Sequence, residues 1–583
     1  MQHRLPNREW KMGSLTPART PNKTAPNPEA SAESQFASWT RRHSLLIFAL
    51  LVAIASLRIA STYTVFSHTY DEPAHIASGM EWLAKGIYRY EPLHPPLARV
   101  ATAVGPFLDG GTPHDKADMW EEGIAILSAD GHYDRTLALA RLGILPFFWL
   151  ACLVVYLWSK KHLGEPSAAL AVLIFTLLPP LLAHGGLATT DMAVTAMVGA
   201  SFLSGVNWCE QPDSINSLMF GIATALAVLS KFSALVFIPA SFSAAFIFYL
   251  LSERPQATAL IELGRRLLPG FCLVILTVFY VIWAGYRFSS GHVWFTSIRL
   301  PFPELYAGIH QLIEHQRLGA GSTYLFGEHS DTGWWWYYIV VLGVKTPLAF
   351  LCLLACGLFV MRCKDAPRGL WLAAMFSCGI LLPCLFSRIN LGVRHILPIY
   401  LGLSIVAAAG ANALINRRPS WQPAGWIGLT LLISLTTSSL LAHPDYIAYF
   451  NVLAGPHPEQ VLVDSDLDWG QDMKRLALRL QKAGATQLAF TPCLRTTNFT
   501  ALGLPPTTPT DFLNPSPGWN AIRLTVLELM LADKRSKHLK FPFWPEVIEP
   551  GEKIGKGIVL WYFPPGMLPA PTSTNPGVQI NCR

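Results

Sequence analysis

Charged residues are scarce in this 583-residue sequence. Only 14% of its residues are Asp, Glu, Lys or Arg, and 51% are hydrophobic, whereas soluble domains carry about 25% charged residues. No stretch combines a basic stripe with an aromatic stacking platform, so the net charge of +7 does not indicate nucleic-acid binding. The ten cysteines include no C-x-x-C pair and no zinc-finger spacing, which argues against cysteine-based metal motifs. The chain is too apolar for an ordinary soluble protein.

Apolar runs long enough to cross a bilayer alternate with polar loops. In hydrocarbon the backbone must satisfy its own hydrogen bonds, so such runs form helices. Lys231 lies in the middle of a run too long for one helix, which we therefore divide. The sequence predicts an all-α polytopic membrane protein with about eleven transmembrane helices. The runs are approximately 44–66, 136–159, 167–184, 190–208, 217–231, 232–250, 267–288, 335–361, 369–387, 395–415 and 424–442.

Basic residues mark every second loop, which predicts a cytoplasmic N-terminus because positive loops stay inside. Residues 1–43 are rich in Pro, Asn, Ala, Ser and Thr, cannot bury a core, and are predicted to be disordered. The membrane domain spans 44–442, with outer loops at 67–135 and at 289–334. The first of these loops carries predicted surface helices at 73–86 and 95–106. Residues 443–583 form a predicted small extracytoplasmic α/β domain, in which short apolar runs at 461–463, 487–490 and 557–562 are strands that alternate with a helix at 472–483. It contains Cys493 and Cys582, and the sequence leaves open whether they pair.

Two carboxylates, Asp71 and Glu72, follow the first run directly. Adjacent acids at the outer membrane edge are unfavourable unless they are solvated or used in chemistry. The structural alternative is that Asp71 caps a helix whose first turn holds Pro73. Further along, Glu91 precedes His94, which is followed by a Pro pair that holds it extended and can direct its ring at a ligand. A lone His is more often structural.

Other candidate polar residues lie at the ends of predicted helices. Asp191 opens the fourth run, where it could bind substrate or cap the helix. Arg394 and His395 begin the tenth run, and Lys345 lies at similar depth. An arginine can grip a phosphate with two hydrogen bonds, although both cations could instead be interfacial anchors. The acidic segment 464–472 lacks the glycine and late glutamate of a calcium loop.

These segments together resemble glycosyltransferase family 39. This family holds the dolichyl-phosphate-mannose protein mannosyltransferases and the bacterial aminoarabinose transferases of lipid A, within the C-type glycosyltransferase superfamily. The resemblance extends in chain order over about 70–472, and the segments 449–451 and 468–472 are similar to those of a bacterial branch of the family that has not been characterised. The matching segments are Tyr70–His75, His94–Leu97, Thr189–Asp191, Ser230–Lys231, Gly327–Trp334, Lys345–Pro347, Asn390–Pro398, Tyr449–Asn451 and Asp468–Asp472.

The resemblance implies transfer of a mannose-like sugar from a polyprenyl-phosphate donor, with inversion, to a protein or a cell-envelope glycan or lipid. Asp71 would be the general base, which suffices because a phosphate leaving group needs charge stabilisation more than a proton. Glu72 would position Asp71 or the acceptor. A location in a bacterial inner membrane follows from the same resemblance.

The remaining candidates are implied to bind substrate or metal. Asp191 would be a second carboxylate for substrate or for a divalent metal ion held with Asp71. The donor phosphate would be held by Arg394, Lys345 and His94. The sequence departs from the family where Leu93 replaces an acidic residue, with Glu91 the nearest carboxylate, so a metal site using that position is in doubt.

Two other functions fit a polytopic membrane protein. A transporter or flippase of a lipid-linked substrate predicts repeat symmetry and charges at mid-bilayer, whereas most candidate charges here lie at one predicted outer face. A non-catalytic scaffold gives no reason for acids and cations to converge on one side. The glycosyltransferase is therefore the favoured interpretation.

Overall fold

A computed structural model describes residues 28–318, 323–363, 366–415, 422–494 and 501–566. Helices dominate the first half of the chain. They are α1 (Pro28–Ala60), α2 (Glu72–Lys85), α3 (Pro96–Leu108), α4 (Met119–Ser128), α5 (Tyr133–Leu142), α6 (Leu145–Leu163), α7 (Glu165–Thr176), α8 (Pro179–Gly185), α9 (Asp191–Glu210), α10 (Ser214–Ser230), α11 (Ala234–Glu253) and α12 (Ala257–Gly285).

Two short hairpins and one helix separate α12 from the next membrane helices. These elements are β1 (Ser290–Val293), β2 (Thr296–Pro301), α13 (Pro303–Leu318), β3 (Thr323–Leu325) and β4 (Glu328–Ser330). The following helices are α14 (Tyr337–Lys345), α15 (Leu348–Val360), α16 (Arg368–Leu385), α17 (Ile399–Ile415) and α18 (Gln422–Leu441).

Each predicted apolar run overlaps a helix or a bent helix pair. Within the described ranges, seven helices are long and apolar enough to cross a membrane, and the count reaches nine if each bent pair is one span. The bends, 71° between α7 and α8 and 113° between α14 and α15, lie where Pro179 and Pro347 interrupt the backbone hydrogen bonding. Helices α10 and α17 are apolar but shorter. The all-α membrane architecture is confirmed, while the count of eleven spans stays a prediction.

The C-terminal region is a small α/β unit, as predicted. Its sheet has the order β6-β5-β7-β9-β8, with β5 parallel to both of its neighbours and the other pairs antiparallel. The elements are α19 (Met473–Lys482), β5 (Leu488–Ala489), β6 (Thr507–Thr508), β7 (Gly518–Arg523), α20 (Leu524–Ser536), α21 (Trp544–Val547), β8 (Glu552–Ile554) and β9 (Ile558–Phe563).

The predicted strand at 461–463 is wrong, because Val461 and Leu462 pack in the core of the membrane helices as part of a buried linker. Residues 1–27 of the predicted disordered segment lie outside the described residues, and α1 begins at Pro28, before the predicted first span. Cys582, the candidate partner of Cys493, also lies outside the described part of the chain.

The outer loop 67–135 and the C-terminal unit share one hydrophobic core. Ile76 and Met80 of α2 belong to the same buried cluster as Leu476 of α19 and Ile558 of β9. Main-chain hydrogen bonds from Ser67 N to Gln471 O (3.1 Å) and from Tyr70 N to Trp469 O (3.0 Å) join the two chain segments directly. This pairing brings the residues around Asp71 and Trp469 together.

Candidate active site

A cavity of about 1890 Å³ lies between the membrane helices, the loop 67–135, helix α13 and the C-terminal unit. Pockets for drug-sized ligands typically measure about 300–1,000 Å³, so this cavity has room for two substrates together. Of the predicted site residues, Asp71, Glu91, His94, Arg394 and His395 line it, whereas Glu72, Asp191 and Lys345 lie behind its wall.

Asp71 turns its side chain into the cavity instead of capping its helix. It occupies the N-cap position of α2, but its carboxylate accepts no capping hydrogen bond from that helix. Oδ2 instead accepts a hydrogen bond from Arg394 Nη1 at 2.7 Å. The capping alternative therefore does not account for Asp71, and its carboxylate is available to a ligand in the cavity.

Glu72 lies beneath the cavity and is fully buried. Arg141 donates to both of its oxygens, from Nε at 2.8 Å and from Nη2 at 2.9 Å. The backbone N–H groups of Thr69 (2.7 Å) and Ala188 (2.9 Å) donate to it as well. Burial alone would raise the pKa of Glu72, but Arg141 and these donors together lower it. This arrangement positions the start of α2, and with it Asp71, without contact between Glu72 and the cavity.

Glu91 and His94 belong to a network that Arg99 organises. His94 Nδ1 lies 3.0 Å from Glu91 Oε2, and the buried Arg99 guanidinium donates to the same oxygen at 2.5 Å and to His75 Nδ1 at 3.0 Å. Burial would raise the pKa of Glu91, but His94 and Arg99 outweigh it and lower the pKa to about 2. Glu91 is therefore ionised and orients His94, whose ring is partly exposed in the cavity.

Asp191 is buried at the start of α9, behind the cavity wall. Its Oδ1 accepts a hydrogen bond from Lys231 Nζ at 2.7 Å, and Thr189 Oγ1 donates to Oδ2 at 3.3 Å. Lys231 lines the cavity, so the lysine stands between Asp191 and any bound ligand. Asp191 can act on a substrate through Lys231.

Arg394 is held between an acid and an aromatic ring. Besides its ion pair with Asp71, its guanidinium lies 4.3 Å from the ring centre of Trp469. The neighbouring His395 ring packs between Phe237 and Tyr338, each with ring centres 5.7 Å away. Both residues come from the turn before α17, so the turn presents a cation and an imidazole to the cavity.

Lys345 does not reach the cavity, contrary to its predicted role as a phosphate ligand. Its Nζ donates to the main-chain oxygens of Ile447 (2.7 Å) and Asp466 (2.5 Å) and lies 4.2 Å from the ring centre of Phe450. Only 1% of its surface is exposed. Lys345 therefore ties the linker 447–466 to the end of α14.

The carboxylates proposed for a metal ion each hold a cation already. Asp71 pairs with Arg394 and Asp191 pairs with Lys231, and a lysine or arginine in contact with a carboxylate opposes binding of a second positive charge. The described residues contain no group of three or more His, Cys, Asp or Glu arranged to hold a metal. The donor set therefore does not fit a metal shared by Asp71 and Asp191.

Sequence patterns alone assign no role to several charged residues of the cavity, among them Lys231, Arg388 and Asp464. Lys231 does carry a signal in the sequence, because it is a charged residue that interrupts a long apolar run. Arg388 lies just beyond the end of α16 and resembles an ordinary interfacial arginine. Asp464 belongs to a segment with four aspartates that look alike in sequence.

Comparisons with known proteins find likeness only in structure. No protein-family model and no curated protein matches the chain. The chain is similar to ArnT from Cupriavidus metallidurans bound to undecaprenyl phosphate, with 13% identity, a TM-score of 0.47, and coverage of 88% of this chain and 97% of that one. It is also similar to the Archaeoglobus fulgidus oligosaccharyltransferase in the apo form, with 12% identity, a TM-score of 0.46, and coverage of 81% and 61%. These TM-scores lie below 0.5, a level at which shape alone does not establish a common fold.

Proposed function

We propose that the chain is a membrane glycosyltransferase that uses a polyprenyl-phosphate sugar. It moves a mannose-like sugar, with inversion, to a hydroxyl of a protein or of an envelope glycan or lipid at the extracytoplasmic face of a bacterial inner membrane. The observation that carries the proposal is the Asp71 carboxylate, which faces a large cavity beside Arg394 instead of capping its own helix.

The chemistry requires one base and a stabilised leaving group. The acceptor oxygen attacks the anomeric carbon, the bond between that carbon and the phosphate oxygen breaks, and Asp71 takes the proton of the acceptor hydroxyl. Arg394 occupies only part of the Asp71 carboxylate, because it donates a single hydrogen bond to Oδ2. The departing lipid phosphate carries the negative charge, which fixed cations in the cavity stabilise.

Arg388 is the cation best placed to bind that phosphate. The other arginines and the lysine that line the cavity each hold a carboxylate. The distance is within 2.9 Å for Arg99, Lys231, Arg394 and Arg523, and 3.1 Å for Arg317 with Glu314. Among the described residues, Arg388 has no carboxylate within 4.0 Å, and it is exposed. It follows the apolar end of α16, where Phe386 is 78% exposed. A lipid phosphate could therefore contact Arg388 while its tail stays in the bilayer.

The proposal is tested with purified protein, polyprenyl-phosphate sugars and envelope extract, by identifying the labelled product. Asp71→Asn should lower the rate of transfer by about 100-fold or more, because a general base contributes that much. Asp109→Asn is the matched control, since it also removes an Asp–Arg ion pair, with Arg135, but away from the cavity.

Two results would contradict the proposal. Full activity of Asp71→Asn would remove the base mechanism. Movement of the lipid-linked sugar across a reconstituted membrane, without transfer to any acceptor, would support the transporter instead.

A further inference from the structure

The acidic segment 464–472 contains four aspartates, and three of them have structural partners. Asp468 is fully buried and receives a hydrogen bond from Arg523 Nε at 2.9 Å. Asp472 accepts from the backbone N–H of Gly557 at 3.1 Å. Asp466 accepts from the backbone N–H of Val393 at 3.0 Å. Asp468 and Asp472 hold the acidic segment to the C-terminal unit, and Asp466 holds it to the turn before α17.

Asp464 is arranged differently. Its backbone has a left-handed φ of 56°, its N–H donates to Thr525 Oγ1 at 3.0 Å, and its side chain is exposed in the cavity. No Lys, Arg or His among the described residues lies within 4.0 Å of its carboxylate. Asp is one of the few residues that tolerate this backbone conformation, so the turn can present the carboxylate without a large energetic penalty.

The electrostatic surroundings of Asp464 indicate what it can bind. The protein surrounding the cavity raises the pKa of the Asp464 carboxyl group by limiting its access to bulk water, Arg394 opposes that rise, and Asp71 adds to it. Asp71 and Asp464 thus face one guanidinium between them, which leaves this side of the cavity with excess negative charge. The Asp464 carboxylate repels a phosphate and attracts hydroxyl groups, because a carboxylate only accepts hydrogen bonds.

We propose that Asp464 is a substrate-binding residue that accepts hydrogen bonds from sugar hydroxyls in the cavity and so contributes to sugar specificity. This inference rests on the proposed glycosyltransferase function. The hydroxyls belong either to the sugar being transferred or to a glycan acceptor. The C-terminal unit then forms one wall of the substrate site, through Asp464 and through helix α20, which contains Thr525.

The test compares Asp464→Asn with the wild type. Asparagine also tolerates the left-handed backbone, and Asp464→Gly, which removes the side chain at a position where glycine is unstrained, is a second variant. Loss of hydrogen bonds to a charged group should raise one KM by about 10- to 100-fold. A raised donor KM assigns the hydroxyls to the transferred sugar, and a raised acceptor KM assigns them to the acceptor. Asp445→Asn, which breaks a pair with Arg475 outside the cavity, is the control.

Deoxy-sugar analogues separate direct contact from an indirect effect. With the analogue that lacks the contacted hydroxyl, the KM of the wild type should rise by the factor found for Asp464→Asn with the intact sugar. The KM of Asp464→Asn should not rise further with this analogue. The inference is overturned if both KM values of the two variants stay within twofold of the wild-type values. It is also overturned if every analogue raises the KM of wild type and variant by the same factor. Failure of the wild type to transfer any sugar would instead refute the proposed function. In that case, loss of free-sugar binding in Asp464→Asn, measured by saturation-transfer NMR, still tests Asp464 itself.

Discussion

Glu72→Gln should destabilise the protein strongly, although the residue adjoins the proposed base. Glu72 accepts hydrogen bonds from Arg141, from the backbone and hydroxyl of Thr69, and from the backbone of Ala188. Only 1% of the Arg141 side chain is exposed, and none of the Glu72 side chain. The neutral amide would leave the Arg141 cation buried without a counter-charge.

The expected loss is about 3–5 kcal/mol of unfolding free energy, the range found when one partner of a buried ion pair is removed. Because folded domains have a net stability of about 5–15 kcal/mol, this loss is large. It should appear as a lower temperature at which half of the detergent-solubilised protein loses its monodisperse size-exclusion peak. Glu121→Gln, on the exposed side of α4, is the control and should behave as wild type.

A double variant separates stability from catalysis. Glu72→Gln combined with Arg141→Met removes the buried charge altogether, so part of the lost stability should return. If Glu72 supports the fold and does not contact substrate, the folded fraction of the double variant should retain sugar transfer. A single variant as stable as the wild type would refute this prediction, because the buried Arg141 cation would then not need the negative charge of Glu72.

Three further predictions concern other polar residues. Lys345→Met should lower the unfolding free energy by about 1–3 kcal/mol, because two buried carbonyls lose their donor, and should leave the donor KM unchanged; a raised donor KM would restore the phosphate role. Arg388→Ala should raise the donor KM by about tenfold with little change in kcat, whereas Arg394→Ala should raise the donor KM more than the acceptor KM and also lower kcat. Unchanged donor kinetics in both variants would contradict the phosphate assignment. The pKa of Glu91 is about 2 against an ordinary 4.5, so its stabilisation is present above pH 4.5 and is lost as pH falls from 4.5 towards 2. Glu91→Gln should therefore cost about 3 kcal/mol at pH 7, and denaturation midpoints of variant and wild type should converge below pH 4.5.

Sequence patterns predicted the membrane helices and the surface helices well. The helices α2 and α3 fall within one or two residues of the predicted segments, because proline and glycine limit a helix through local geometry alone. The strand predicted at 461–463 failed, because a short apolar run looks the same in a strand and in a buried linker.

The candidate site was predictable in part. Asp71, Glu91, His94, Arg394 and His395 all line one cavity. Glu72 has the same charge as its neighbour Asp71, and Lys345 has the same charge as Arg394, but the side chains of Glu72 and Lys345 are buried in the protein. Sequence spacing does not reveal this difference, since it depends on a partner such as Arg141 that is distant in the chain.

The sequence by itself determined that the chain is a bundle of membrane helices with a small α/β unit. A helix that crosses hydrocarbon needs a long apolar run with few charges, and both properties can be read from the local sequence. Only the tertiary structure decided which acids and cations neutralise each other and which remain open to a ligand. That outcome depends on contacts between residues far apart in the chain, such as Arg394 with Asp71 and Lys231 with Asp191.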